Sequence, residues 1–158
     1  MKIDEGDEMP GTDCAPLIVV GVDGSESSID ALRWAALQAK RTDARLQAIS
    51  AWQYPGGYGW VPDFSELDFE AEAQKGLDDT VARALGAEPD VPVTTRVIEG
   101  NAAIVLIDAS QGADLLVVGS RGHGAFAGML LGSVSQHCAQ NASCPVLIVR
   151  HRTGNDPH

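Results

Sequence analysis

The chain is short of aromatic residues, of cysteine and above all of positive charge. Aromatics make up 5% of its 158 residues, so the core has to be built from Val, Ile, Leu and Ala. The three cysteines, Cys14, Cys138 and Cys144, are an odd number at irregular spacing. That pattern argues against a disulfide framework or a zinc site and suits a reducing cytosol. Lys and Arg number 11 against 22 Asp and Glu, a formal charge of −11. Nucleic-acid phosphates need a basic face, and anionic lipid repels a chain of this sign, so neither partner is expected. The longest apolar runs, such as residues 115–119 and 145–149, are far shorter than the ~20 residues of a membrane span. The opening MKIDEGDEMPGTD lacks the basic-then-apolar order of a signal peptide, which makes the cytoplasm the expected location.

What is present is the composition of one globular domain, with 44% apolar and 21% charged residues. Residues 1–15 carry Asp4, Glu5, Asp7, Glu8 and Asp13 and read as an acidic flexible tail. Residues 16–151 read as the domain, and 152–158 as a disordered C-terminal tail.

Within the domain, short apolar runs alternate with helical patterns. Residues 16–23 (PLIVVGVD) read as a buried parallel strand. Ser25 is placed to cap a helix that runs to about Arg41, with Ile29, Leu32, Ala36 and Ala39 on one face. Residues 46–52 read as the second strand. They lead into a loop rich in Gly, Pro and aromatics that carries Tyr54, Tyr58 and Trp60. That loop is expected either to cover a ligand or to anchor itself on the sheet edge. Ser65 with Asp68 forms a capping-box pattern before a helix carrying Ala73, Leu77, Val81 and Ala84. Residues 93–98 are the third strand. Asn101 caps a short helix with Ile104 and Ile107. Residues 114–119 are the fourth strand, residues 133–142 the last helix, and 145–150 the fifth strand. The expected fold class is α/β: an open five-stranded parallel sheet with helices on both faces. Ligands of such sheets bind at the carboxyl ends of the strands, where strand order reverses. His137 and Cys138 on the last helix are read as packing residues.

The strongest local signal follows the fourth strand. Gly119, Gly122, Gly124, Gly128 and Gly132 are five glycines in 14 residues, and Ser133, Val134 and Ser135 open the next helix. Glycine lets backbone approach a ligand closely, and a helix start favours phosphate oxygens. The hydroxyls of Ser133 and Ser135 add donors, and Arg121 and His123 supply the nearby positive charge. The plain alternative is a long strand-to-helix loop with glycines for its turns. A formal dinucleotide fingerprint begins at Gly122, but Gly128 and Gly132 intervene before the helix. A phosphate loop of the Gly-Lys-Ser type is excluded, because the three lysines are Lys2, Lys40 and Lys75.

Gly119, Gly122, Gly132 and Ser133 match the G-x2-G-x9-G-[ST] spacing, and here the sequence resembles the universal stress protein family. Residues 20–25 (VGVDGS), 112–119 (GADLLVVG) and 143–149 (SCPVLIV) look like further segments of that family. The resemblance implies a Rossmann-like fold with strand order 3-2-1-4-5, ATP binding, and a cytoplasmic homodimer paired through residues 146–150. It implies a nucleotide site made of Gly21, Val22, Asp23, Ser25, Ala51, Gly119, Ser120, Arg121, Gly122, His123, Gly124, Gly132, Ser133, Val134 and Ser135. Asp23 and its turn would meet the adenosine end, and the backbone of Ala51 the adenine. Gly119 and Gly122 would flank the ribose and first phosphates. Gly132 to Ser135 would hold the phosphate tail, Val134 through its N–H alone, with its side chain in the core. No carboxylate cluster near the loop marks a protein metal site, so Mg2+ would ride on the phosphates. The function expected from the resemblance is a nucleotide-responsive regulatory module in the stress response. The rival is a slow ATPase or adenylyl-transfer enzyme. For it the loop offers Arg121 and His123 but no lysine, no nearby carboxylate base and no HxGH pattern.

Overall fold

The computed structural model describes residues 15–54, 68–121 and 131–151. Within them nine elements alternate: β1 (Leu17–Gly21), α1 (Glu26–Thr42), β2 (Arg45–Trp52), α2 (Phe69–Leu85), β3 (Val93–Glu99), α3 (Ala102–Ser110), β4 (Leu115–Gly119), α4 (Ser133–Asn141) and β5 (Val146–Val149). The strands form one sheet in the order β3-β2-β1-β4-β5. Every neighbouring pair is parallel, with Val20 beside Ala48 on one side and Val117 on the other. The strand order reverses between β1 and β4, as the resemblance implies.

The continuous apolar runs are explained by burial on both faces. Successive side chains of a strand point to opposite sides. Ile18, Val20 and Val117 join one cluster with Ala31, Leu32 and Ala35 of α1 and Leu77 and Val81 of α2. Val19, Leu116 and Val118 join the other with Val105 and Leu106 of α3 and Cys138 of α4. Helices therefore cover both faces, and small alanines let α1 lie close to the sheet.

Helix starts follow local chemistry. The side chains of Ser25, Asp68 and Asn101 accept hydrogen bonds from the backbone N–H groups of Ser28, Ala71 and Ile104. Asp68 is thus itself the cap of α2 and not the third residue of a box begun at Ser65, which lies outside the described residues. Asp43 ends α1 in the left-handed region at φ 56°, an accessible conformation for Asp. In α3 the buried face is Ala103, Val105, Leu106 and Ser110, while Ile104 is 60% exposed. The strands begin and end within a residue or two of their expected limits, because pairing stops where the parallel partner does. Among the described residues no helix is long and apolar enough to cross a membrane.

Candidate functional site

The carboxyl ends of β1 and β4 lie side by side, and the polar segments of the sequence gather there. After β1 the chain continues one step in sheet geometry, with the Val22 N–H donating to the Ile49 carbonyl over 2.9 Å. It then turns through exposed Asp23 and Gly24, whose φ of 84° is one that glycine adopts without steric cost. The Asp23 carboxylate accepts from the Ser25 N–H at 2.9 Å, and Ser25 in turn caps α1. Asp23 is therefore a turn-forming residue. It is exposed at the carboxyl end of β1.

On the neighbouring strand β4 ends at Gly119. A Cβ placed there would stand 2.5 Å from the Ser27 hydroxyl oxygen and 2.8 Å from the Ser27 carbonyl carbon. The missing side chain thus admits the first turn of α1, which gives Gly119 a packing reason independent of any ribose. Gly21 has a similar reason, since a Cβ on it would come within 2.6 Å of a Leu106 methyl. Sequence reasoning missed both contacts. It also missed Ser27, a buried serine whose hydroxyl donates to the Val149 carbonyl over 3.1 Å. The only hint was a serine pair, Ser27-Ser28, on the core side of an amphipathic helix.

Beyond β4 the backbone is pinned. The Ser120 N–H donates to the Val149 carbonyl over 2.7 Å, and the Ser120 carbonyl accepts the Gly132 N–H at 2.6 Å. Gly132 is the residue at the cap of α4, and it brings no side-chain cap to that helix, unlike the starts of α1, α2 and α3. Ser133 is exposed, Val134 is half-buried against the second core cluster, and Ser135 is buried. The side chain of Val134 is in the core, as expected. The Ser135 hydroxyl, expected as a donor to phosphate, donates to the carbonyls of Ser120 and Gly132, each at 3.0 Å. Its one proton is engaged inside the protein. Arg121 is exposed at the end of the β4 segment. Gly122, His123 and Gly124 lie outside the described residues.

On the other side of β1 lies the end of β2. Ala51 is half-buried and pairs with Ile98. Next to it Trp52 and Tyr54 meet edge to face at 5.1 Å between ring centres, and Tyr54 meets Phe69 of α2 at 5.4 Å. Tyr54 thus anchors the start of its loop on α2. Tyr58 and Trp60 fall outside the described residues.

Three groups on or after α4 differ from expectation or are inert. His137 is exposed rather than packed, and its Nδ1 lies 2.9 Å from the Ser133 carbonyl oxygen. Cys138 is fully buried, and burial pushes its thiol up to about 11. Burial also raises the Cys144 thiol, with a smaller contribution from Asp114. Neither is a ready nucleophile. Among the described residues no three His, Cys, Asp or Glu side chains gather as metal ligands.

An open parallel sheet in the order 3-2-1-4-5, with a glycine-rich segment leading from β4 into a helix, defines a Rossmann-like α/β domain. Residues 17–150 match the model of the universal stress protein family. The chain belongs to that family. A universal stress protein of Mycobacterium tuberculosis is 37% identical over 147 residues, covering 93% of this chain and 49% of the relative. One from Mycolicibacterium smegmatis is 36% identical over 150 residues, covering 93% and 50%. The chain spans about half the length of the curated relatives it matches. The solved universal stress protein UspA of Lactobacillus plantarum superposes with a TM-score of 0.73 at 25% identity, covering 85% of this chain and 97% of its own. A universal stress protein solved in complex with cAMP superposes at 0.60 with 30% identity, covering 87% and 98%.

Proposed function

We propose that this chain is a regulatory module that binds adenine nucleotide, with ATP as the ligand, in the crevice at the carboxyl ends of β1 and β4. One observation carries the reading: α4 starts at Gly132 without a side-chain cap, bonded to Ser120 just past the end of β4, one of the two strands between which the order reverses. A helix start left to backbone N–H groups is suited to phosphate oxygens. The G-x2-G-x9-G-[ST] spacing at Gly119, Gly122, Gly132 and Ser133 supports it, as does the relative solved with cAMP.

The residues present fit such a ligand. The N–H groups of Ser133 and Val134 and the Ser133 hydroxyl face the phosphate tail, with Arg121 offsetting charge on a strongly acidic chain. Asp23 receives the adenosine end, and the backbone of Ala51 lies against adenine. Any Mg2+ is carried by the phosphates. Gly21 and Gly119 shape the crevice by letting α3 and α1 close on the sheet. Ser25 shapes it by capping α1. Gly122, His123 and Gly124 complete the loop by the motif.

From the family resemblance we also propose a cytoplasmic homodimer, paired through the edge strand at residues 146–150. Val146, Leu147 and Ile148 are only half-buried there, as an unpaired apolar edge would leave them.

Nucleotide released by heating the purified protein, followed by calorimetric titration with ATP, tests the reading. We expect about one ATP per chain at micromolar affinity. No released nucleotide and no heat at millimolar ATP would overturn it and move function to the dimer surface.

A further inference from the structure

Two carbonyls at the end of the sheet each hold two donors. The Val149 carbonyl accepts the Ser120 N–H at 2.7 Å and the Ser27 hydroxyl at 3.1 Å. The Ser120 carbonyl accepts the Gly132 N–H at 2.6 Å and the Ser135 hydroxyl at 3.0 Å. The Gly132 carbonyl is likewise shared between the Ser135 hydroxyl at 3.0 Å and the Gln136 N–H at 3.0 Å. All three carbonyls would keep a backbone donor if the serines became alanines, so the hydroxyls are not needed to satisfy buried polar groups. Both serines are buried, at 6% and 2% exposure, where alanine fits the space. What the hydroxyls add is direction. Each carbonyl is bracketed from two sides, which fixes the start of α4 on the end of β4, and the first turn of α1 on the end of β5.

We propose that Ser135 is the positioning residue of the anion cradle at the start of α4, with Ser27 holding the strand end on which that cradle stands. The inference rests on the nucleotide-binding reading above. Ser135 itself does not touch the ligand. It sets the angle at which the N–H groups of Ser133 and Val134 meet the phosphate tail, and a small error in that angle weakens charge-assisted bonds. Its effect is therefore confined to the phosphate end of the ligand and absent at the adenosine end.

The test compares wild type, Ser135→Ala and Ser27→Ala by calorimetric titration with ATP and with adenosine, together with amide hydrogen exchange of the folded protein. In Ser135→Ala the dissociation constant for ATP should rise about tenfold, the size of one lost positioning bond, while adenosine affinity stays unchanged. Exchange at the Gly132 amide should quicken, and the amides of β1 should stay as protected as before. Ser27→Ala should show the same pattern, weaker. Equal loss for ATP and adenosine would mean a merely structural serine and would overturn the proposal. So would wild-type affinity for ATP in Ser135→Ala. If wild type binds neither ligand, the nucleotide reading fails. The exchange data then decide: unchanged exchange at Gly132 sinks the positioning role as well, and faster exchange there upholds it as a feature of the fold.

Discussion

Gly119 on β4 lies directly under Ser27 on α1, so close that a Cβ at residue 119 would come within 2.8 Å of the Ser27 carbonyl carbon. The obstacle is backbone, which cannot rotate away. Gly119→Ala should therefore destabilise the fold by about 1–3 kcal/mol, as overpacking does. Urea unfolding checks it. A variant as stable as wild type would mean that α1 can shift at no cost and that the glycine is there for another reason.

Gly21 offers the internal control. Its added Cβ would meet the tip of Leu106, a side chain able to change rotamer. Gly21→Ala should therefore be less destabilising than Gly119→Ala in the same unfolding experiment. The reverse order would show that the second core cluster around Leu106 is the more rigid of the two contacts.

Asp23 combines a turn with a charge, and two substitutions separate them. Asp23→Asn keeps an oxygen to accept the Ser25 N–H, so the turn should survive. If the charge holds the adenosine end, both Asp23→Asn and Asp23→Ala should weaken ATP binding by ~1–3 kcal/mol. Unchanged affinity in Asp23→Asn, measured by calorimetry, would leave Asp23 as a turn residue only.

Gly122→Val tests the loop. Gly122 lies outside the described residues, and its expected role comes from the motif spacing. The valine should abolish ATP binding while thermal unfolding stays close to wild type. Retained ATP binding would place the phosphates elsewhere.

The buried thiol of Cys138 makes stability depend on alkaline pH. Its pKa is raised from 9.0 in the unfolded chain to about 11 in the fold. Between those values the unfolded chain gives up a proton that the folded chain keeps. The unfolded state then binds fewer protons, so stability falls as pH rises from 9.0 to about 11. The contribution is fully present below 9.0. Urea midpoints across that window should decline in wild type and decline less in Cys138→Ala. Equal slopes would exclude the thiol as the cause.

Much of the architecture was legible in the amino-acid sequence because it depends on local rules. Continuous apolar runs such as LIVVG and LLVVG, short and rich in valine, suit strands covered on both faces. Ser25 and Asn101 announced the helices they cap. The glycine and serine spacing from Gly119 to Ser133 marked which strand end to inspect, and the family resemblance supplied the strand order. Asp68 was misjudged only in role, since a carboxylate suits both the cap of a helix and its third residue, three positions further on.

The tertiary structure alone decided what each small residue does. A sequence shows that Gly119, Gly21 and Ser135 are small, and a small residue near a candidate site suggests a ligand. Only the packing of α1 and α3 onto the sheet reveals that the first two glycines make room for helices. Only the approach of α4 to β4 shows that the Ser135 hydroxyl turns inward to two carbonyls. The physical reason is the range of the interactions. Propensity, capping and periodicity act within a few residues and are written locally. By contrast, Gly119 meets Ser27 and Ser27 meets Val149 across long stretches of chain, and which atoms touch there is set by how whole elements dock.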